Sequence, residues 1–308
     1  MIRVRYHELP PTGITETNTV FTVEHVLPMQ NALGEGPLWN VEEQALYWID
    51  YTKKQFFRFD PDTEALSTFQ LNVNPGCVAF TESGDLLLAT TAGLGLWRND
   101  TLRLIDNRVA QPANRFNDGA ADRAGRFWVG TASDHPDNHL YRLDADGSMQ
   151  IMESGIIISN GLAWSPDNRT MYYYDSGGEG IVWAYDFDLQ NGTISNRRTF
   201  LPPTGTGAVA DGLTVDSEGY VWIAFWDGWK VARYSPAGEC VLEIPMPVQR
   251  PTSCNFGGPD LNELYVTSAG AGLDRVAQPR TGDLFKIITD VQGIAEPRVR
   301  LSADIPLL

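Results

Sequence analysis

The stretch "DGLTVDSEGYVWIAFWD", residues 211–227, begins with a small polar pair at a turn and continues into a short strand of mostly apolar residues. A polar hairpin turn, "DSEG", then leads into a second strand rich in aromatic residues. Polar residues and glycine between two β-forming runs are typical of an antiparallel hairpin. The stretch therefore predicts two paired strands, and it raises the question of what Asp211 does at their start.

Five other segments of the chain resemble this stretch. They are "EGPLWNVEEQALYWID" from 35, "PGCVAFTESGDLLLAT" from 75, "DGAADRAGRFWVGT" from 118, "NGLAWSPDNRTMYYYDS" from 160 and "TSCNFGGPDLNELYVTSA" from 252. Successive starts are 40, 43, 42, 51 and 41 residues apart. A third strand-like run follows each copy, and the first five also have a plausible fourth. Four strands every 40 to 50 residues are typical of a propeller blade.

The repeat predicts an all-β fold, a six-bladed β-propeller with four antiparallel strands per blade and almost no helix. The 51-residue spacing predicts a longer strand or loop near "DLQNGTISNRRTFLPPTGTG". We expect "TVFTVEHVLPM", which precedes the first copy, to complete the last blade and close the ring. Residues 1–17 are expected to form a loosely held arm, and residues 18–308 a single propeller domain.

Composition narrows the class of protein. The formal net charge of −16 disfavours nucleic acid and anionic membranes as partners, since both would repel the chain. The sequence contains no apolar run fit for a signal peptide or a membrane span, so we expect a cytoplasmic protein and, from its charge, a monomer. The three cysteines show no CxxC spacing and are expected to be buried apolar residues rather than a metal cage.

The first strands of propeller blades line the central channel, so equivalent positions in the six copies should form a ring at one mouth. These positions are Glu35, Pro75, Asp118, Asn160, Asp211 and Thr252, and Asn117 is a neighbouring candidate. Converging carboxylate and amide oxygens suit a hard divalent cation such as Ca²⁺, Mg²⁺ or Mn²⁺, with zinc and iron not excluded. The alternative interpretation is that Asp118, Asn160 and Asp211 are turn residues facing solvent.

Four segments, "LGEGPLW", "RFNDGAADRAGRFWVGT", "SNGLAWSPDNRTMYYYDS" and "ADGLTVD", together resemble the senescence marker protein/gluconolactonase/regucalcin family. The resemblance spans residues 20 to 300 approximately. It implies a six-bladed propeller with one divalent metal ion near its axis and hydrolysis of sugar lactones as its activity. We expect Ca²⁺, with Zn²⁺, Mg²⁺, Mn²⁺ and Fe²⁺ as alternatives.

The resemblance also implies roles for individual residues. The metal ligands would be Glu35, Asn160 and Asp211, while Arg115 and Asn117 would hold substrate oxygens. Asp118 would then lie behind the ligands or be structural. The chain departs from the family in "TASDHPDN", where Asp134 and His135 stand in place of an acidic residue that reaches the substrate in animal members. We therefore count His135 among the substrate-binding candidates and leave the sugar preference open.

A lactone carbonyl becomes anionic as water adds to it, and a divalent cation stabilises that charge. Asp211 is the candidate general base as well as a ligand, and Arg115 would neutralise the carboxylate that forms. A Ser/His/Asp triad is disfavoured because the chain has four histidines and no GxSxG elbow. Two alternatives to a sugar lactonase remain: a non-catalytic propeller that binds a cation or a partner, and a hydrolase of other activated esters such as organophosphates.

Overall fold

A computed structural model describes residues 2–3, 21–109 and 114–308 of the chain. Its secondary structure is built from β-strands, and the described residues contain no α-helix. Nor do they include a helix that is long and apolar enough to cross a membrane. The strands form six antiparallel sheets, which confirms the predicted six-bladed β-propeller.

The strands are numbered along the chain. Two precede the first blade: β1 (Ile2–Arg3) and β2 (Thr22–Leu27). Blades one to three are β3 (Gly34–Asn40), β4 (Ala45–Asp50), β5 (Gln55–Asp60), β6 (Ala65–Gln70); β7 (Pro75–Phe80), β8 (Leu86–Thr90), β9 (Gly93–Arg98), β10 (Thr101–Asp106); β11 (Arg115–Ala121), β12 (Phe127–Ala132), β13 (Asn138–Leu143), β14 (Met149–Ile156).

Blades four to six are β15 (Ser159–Trp164), β16 (Thr170–Asp175), β17 (Val182–Asp188), β18 (Thr193–Leu201); β19 (Val209–Val215), β20 (Val221–Trp226), β21 (Lys230–Tyr234), β22 (Cys240–Pro245); and β23 (Pro251–Gly257), β24 (Glu263–Ser268), β25 (Leu284–Ile288). Within each blade, strands that are consecutive in sequence are paired. The innermost strands β3, β7, β11, β15, β19 and β23 contact one another in that order around the axis.

The sixth blade takes its outer strand from the other end of the chain. Strand β2 pairs with β25, with Val23 opposite Ile287 and His25 opposite Phe285, so the prediction that this segment closes the ring is confirmed. Strand β1 pairs with β2 as a fifth strand of that sheet. The rest of the expected N-terminal arm, residues 1 and 4–17, lies outside the described residues, and its looseness stays a prediction.

Apolar and aromatic side chains fill the spaces between neighbouring blades. Trp48, Trp128 and Trp222 are fully buried there. Two of these indoles are also hydrogen-bonded to buried carboxylates, with Trp128 Nε1 3.0 Å from Asp122 and Trp222 Nε1 2.9 Å from Asp216. Such a bond satisfies the polar edge of a large buried ring. The same indole–carboxylate pair therefore stabilises the inner hairpins of blades three and five.

The cysteines are free thiols, which agrees with the absence of CxxC spacing. Cys77 and Cys254 are buried in apolar clusters, as expected. Cys240 is exposed at the start of β22, so the expectation that all three are buried is wrong for that residue. It begins the outer strand of its blade, where the outward face meets solvent.

Each innermost strand carries a β-bulge near its start. In β19, Ala210 pairs with Phe225 and Leu213 with Ile223, so Asp211 and Gly212 together face a single residue of β20. The other five blades show register shifts at the corresponding places. Asn160, Asp211 and Thr252 are the first residues of their bulges. Glu35 and Pro75 pair regularly one residue before theirs, so the first two copies were placed one residue early by the sequence pattern. All of these residues lie inside strands, which corrects the expectation of a turn ahead of the strand. A bulge re-aims the side chain that it carries.

The bulges also correct the alignment of the copies. Phe116 pairs with Thr131 and Gly119 with Val129, so Asn117 occupies the position in β11 that Asp211 occupies in β19. Asp118 is one residue further along, and the third copy was therefore placed one residue late by the sequence pattern. Three of the other copies begin with a polar residue closely followed by a glycine, and in "NDG" both Asn117 and Asp118 satisfy that pattern. The sequence alone could therefore not decide which of the two is the counterpart of Asp211.

The inner strands approach each other closely enough to exclude side chains at some positions. A Cβ atom built on Gly161 in β15 would lie 2.6 Å from the Asp211 carbonyl oxygen of β19. No real Cβ atom tolerates that distance from backbone, so glycine is required for the two strands to meet. This contact brings the bulges of blades four and five, and with them Asn160 and Asp211, to the same mouth of the channel.

The chain after β25 runs across the opposite face of the propeller. The Val299 N–H donates to the Phe80 carbonyl at 2.7 Å, and the Ser302 N–H donates to the Ala145 carbonyl at 2.7 Å. On the way, Glu296 accepts a hydrogen bond of 2.8 Å from the Asn255 side chain of β23. The tail thus crosses the mouth opposite the candidate residues. A ligand could therefore enter the channel from the mouth where the candidate residues lie.

Candidate metal centre and active site

The segments that lead into β3 and β15 are held by two aspartates at the ends of the neighbouring strands. The buried Asp50 carboxylate accepts a hydrogen bond of 2.8 Å from the Ala32 N–H, and Asp175 accepts one of 2.9 Å from the Ile158 N–H. Hydrogen bonds to carboxylates are stronger than neutral ones. Both innermost strands therefore begin from a fixed backbone, which positions Glu35 and Asn160 a few residues on.

Glu35 and Asp211 bring two carboxylates together at the mouth. Burial raises the pKa of Glu35 well above its usual range, and the charges of Asp211 and Asp118 raise it further. The pKa of Asp211 is likewise raised well above its usual range by burial and then by Asp118, while a hydrogen bond from Asn160 opposes the shift. Carboxylates crowded in this way repel one another unless a cation or a proton lies between them.

Asp118 lies deeper along the channel. Burial raises its pKa to about 6, with a further contribution from Glu296, while a hydrogen bond of 2.9 Å from the Gly119 N–H opposes the shift. Its negative charge in turn raises the pKa of both Glu35 and Asp211. Asp118 therefore adds to the negative potential beneath the mouth, in keeping with its expected place behind the ligands.

The Asn160 side chain lies at the mouth, where its hydrogen bond to Asp211 opposes the raised pKa of that carboxylate. Its Nδ2 atom donates to the Ser176 hydroxyl at 3.3 Å, and Oδ1 accepts no hydrogen bond from the described residues. Asn160 is otherwise well buried, with 8% of its surface exposed. Its nitrogen is therefore engaged, while the oxygen remains available as a ligand.

Arg115 and Asn117 form a connected pair on β11. The Arg115 guanidinium donates to Asn117 Oδ1, and Asn117 Nδ2 donates to the Ser159 carbonyl at 2.7 Å. The guanidinium carbon also lies 4.4 Å from the centre of the Tyr51 ring, a cation–π contact. Burial lowers the pKa of Arg115, and the nearby Glu35 and Tyr51 oppose that shift. Asn117 therefore positions Arg115, which is held beside the carboxylates with donors to spare.

His135 and Asp134 lie on an exposed loop between β12 and β13 at the same end of the propeller. Asn138 fixes the loop by donating to the His135 carbonyl at 2.9 Å and to the Ser133 hydroxyl at 2.7 Å. Among the described residues, no hydrogen bond involves the imidazole of His135. The structure thus places the loop beside the mouth, and contact of His135 with a substrate stays a prediction.

Sequence reasoning did not identify Tyr51 and Ser176, which contact candidate residues, or Glu296, whose charge raises the pKa of Asp118. Tyr51 and Ser176 directly follow the second strands of blades one and four, as the last letters of "YWIDY" and "YYYDS". Comparing the ends of second strands between copies would have found these two. No local pattern points to Glu296, which reaches the channel from the C-terminal tail.

The residues present fit a divalent cation. Glu35 and Asp211 supply two carboxylates without a direct ion-pair partner among the described residues, and Asn160 supplies a free amide oxygen. Hard divalent cations prefer such an all-oxygen set. In the part of the chain that the structure describes, no three His, Cys, Asp or Glu side chains are arranged to hold a metal ion. A site here would instead combine two carboxylates with a carboxamide.

Fold and site together define a six-bladed propeller with an oxygen-rich mouth on its axis. The family model for the SMP-30/Gluconolactonase/LRE-like region matches residues 33–270, and the chain belongs to this sugar lactonase family. The resemblance seen in the four sequence segments is confirmed.

Individual relatives align with nearly the whole chain. The protein is 38% identical to the 6-deoxy-6-sulfogluconolactonase of Pseudomonas putida over 287 residues, which cover 90% of this chain and 98% of the relative. It is 36% identical to a pentonolactonase of Haloferax volcanii, covering 91% of this chain and 98% of the relative. Among solved structures, regucalcin of Agrobacterium tumefaciens, described as a calcium-binding protein, superposes with a TM-score of 0.87 at 27% identity, covering 91% and 98% of the two chains.

Proposed function

We propose that the protein is a divalent-metal-dependent lactonase that hydrolyses a five- or six-membered aldonolactone to its hydroxy acid. The observation that carries the proposal is the grouping of Glu35, Asn160 and Asp211 at one mouth of the channel, with Arg115 beside them. The names of two relatives, a sulfogluconolactonase and a pentonolactonase, support the same reaction class. The calcium-binding description of a third supports Ca²⁺ as the ion.

Glu35, Asn160 and Asp211 would hold the cation. When bound, such an ion polarises a carbonyl oxygen and makes a nearby water more acidic. Asp211 accepts the proton of the attacking water. A carboxylate beside the reacting water can serve as this general base.

Arg115 recognises the substrate and the product. Its guanidinium is positioned by Asn117 and Tyr51 and pairs with the carboxylate that appears when the ring opens. A protein that only stores a cation has no use for an arginine next to its ligands. Arg115 therefore favours a lactonase over a non-catalytic cation binder.

The test is proton release, measured in a pH-stat, from a panel of aldonolactones added to the protein with Ca²⁺ and after chelation. We expect acid release with the metal and its loss on chelation, restored by added Ca²⁺. Binding of Ca²⁺ without acid release from any lactone would support the non-catalytic alternative. Acid release from an organophosphate ester, with none from the lactones, would support the alternative of a hydrolase of other activated esters.

A further inference from the structure

A large cavity lies between blades four and five. Its volume is about 610 Å³, within the range of small-molecule sites. Much of its wall is apolar, with Val182 and Leu201 from blade four, Phe225 from blade five, and Pro203 and Ala208 from the connecting loop. The cavity therefore has the size and lining of a ligand site, although it lies to one side of the axis.

The connection between β18 and β19 forms one wall of this cavity. Residues 202–208 and the nine-residue strand β18 account for the 51-residue spacing that sets this copy apart, as predicted. The Thr204 hydroxyl donates to the Ala208 carbonyl at 2.6 Å, so the loop is closed on itself. All residues of this loop line the cavity.

The inner end of the cavity adjoins the candidate metal centre. Ser176 lines the cavity, and its hydroxyl lies 3.3 Å from Asn160 Nδ2. Ala210 also lines it and directly precedes Asp211 in β19. A molecule bound at the mouth could thus extend sideways into the cavity past Ser176 and Ala210.

Two charged side chains line the cavity: Glu179, which follows β16, and Lys230, which is already engaged. The Lys230 ammonium pairs with Glu243 and lies 5.1 Å from the centre of the Phe225 ring. It is therefore not aimed at an anionic ligand. A sugar hydroxyl would find few partners along the apolar wall, whereas an alkyl chain or aromatic ring would lose contact with water there.

We propose that this cavity holds an apolar alkyl or aryl substituent on the ring of a lactone whose carbonyl lies at the mouth. The inference rests on the proposed lactonase function and extends it from hydroxylated to alkylated lactones. Hydrolysis itself is unchanged: the water oxygen bonds to the carbonyl carbon, the ring C–O bond breaks, and a proton passes to the leaving oxygen. The substituent stays on the carbon that carries the new hydroxyl.

The experiment uses the full chain loaded with Ca²⁺ and a series from γ-butyrolactone to γ-decanolactone. A parallel series of 3-alkylcyclopentanones, which are not hydrolysed, measures binding by calorimetry. We expect kcat/KM and affinity to rise by about threefold per methylene group until the cavity is full. Ala208→Phe should flatten both rises, and Ala208→Leu should reduce them partly. The control, Val41→Phe at an exposed hairpin on the far face, should behave as the wild type.

Other outcomes would contradict either the cavity assignment or the lactonase proposal. A flat wild-type series alongside turnover of aldonolactones would overturn the cavity assignment and leave the lactonase proposal standing. A rise that persists in Ala208→Phe would also overturn it, because the chain would then lie elsewhere. Ketone affinity that rises in the wild type and is lost in Ala208→Phe, with no lactone hydrolysed, would support the apolar site and contradict the lactonase.

Discussion

The side-chain nitrogen of Asn160 lies 3.3 Å from the Ser176 hydroxyl, and this contact holds the amide beside the Asp211 carboxylate. Asn160 belongs to the innermost strand of its blade, while Ser176 follows the second strand, 16 residues later. The pair shows how the candidate metal centre is built. Residues on innermost strands face the axis, and residues at the ends of neighbouring strands set their orientation.

Ser176→Ala should weaken Ca²⁺ binding by about tenfold, because the Asn160 amide loses a partner that holds it in place. Calorimetric titration of the chelated protein measures the change. Ser154→Ala is the matched control, since that hydroxyl contacts His139 on an outer pair of strands. Equal affinities in the two variants would mean that Ser176 does not orient a ligand.

Glu35→Gln should lower the metal content after dialysis, because one of two anionic donors becomes neutral. Elemental analysis measures bound metal per chain. Glu82→Gln, which alters an exposed carboxylate paired with Arg300 on the far face, should leave the content unchanged. Full metal retention by Glu35→Gln would remove Glu35 from the site.

Arg115→Ala should reduce kcat/KM for an aldonolactone by about 100-fold while the metal stays bound, since its proposed partner is the substrate. Steady-state kinetics and elemental analysis on the same preparation separate the two effects. Arg98→Ala, which removes an exposed ion pair with Asp85, serves as control. Joint loss of metal and activity in Arg115→Ala would show that the arginine supports the metal site instead.

Asp211→Asn should lower kcat by about 10² to 10⁴, because an amide oxygen can bind a cation but cannot accept a proton. The chelated variant should melt at or above the wild-type temperature, since removing this charge relieves repulsion with Glu35 and Asp118. Calorimetric melting and single-turnover kinetics test both points. Near-normal turnover by Asp211→Asn would show that Asp211 is not the general base and has only a structural role in its bulge.

The stability of the chelated protein should depend on Asp118. Its pKa of about 6 exceeds the ordinary value of 3.8, so between these values the folded state binds more protons than the unfolded state. The contribution therefore destabilises the fold as pH rises through this window, by up to about 3 kcal/mol. Urea unfolding at pH 4 to 7 should show this loss in the wild type and a smaller one in Asp118→Asn. Identical pH profiles would contradict the prediction.

The six-fold repeat was readable from sequence because hairpin turns and alternating apolar residues are local properties. "DSEG" and "SPDN" each mark a turn between strands that pair with each other, so no distant contact is needed to place them. The same locality explains why "TVFTVEHVLPM" could be assigned to a strand. Its place in the sixth blade followed from the need to leave no open edge.

The details of the site depended on contacts between distant parts of the chain. The bulge that makes Asn117, and not Asp118, the counterpart of Asp211 appears only when the strands are paired. Tyr51 meets Arg115 across two blades, and Glu296 reaches Asn255 from a tail on the opposite face. Neither contact can be recognised from the spacing of residues within a repeat.

The sequence by itself determined the number of blades, the strands within each and the polar residues that begin the innermost strands, because period and turn chemistry act between near neighbours. The tertiary structure alone decided which of those polar groups are oriented towards the axis and where a cavity opens beside them. Orientation and cavity shape come from bulges, from interblade packing and from hydrogen bonds such as that between Ser176 and Asn160. These depend on how strands meet in space, which the order of residues along one strand does not record.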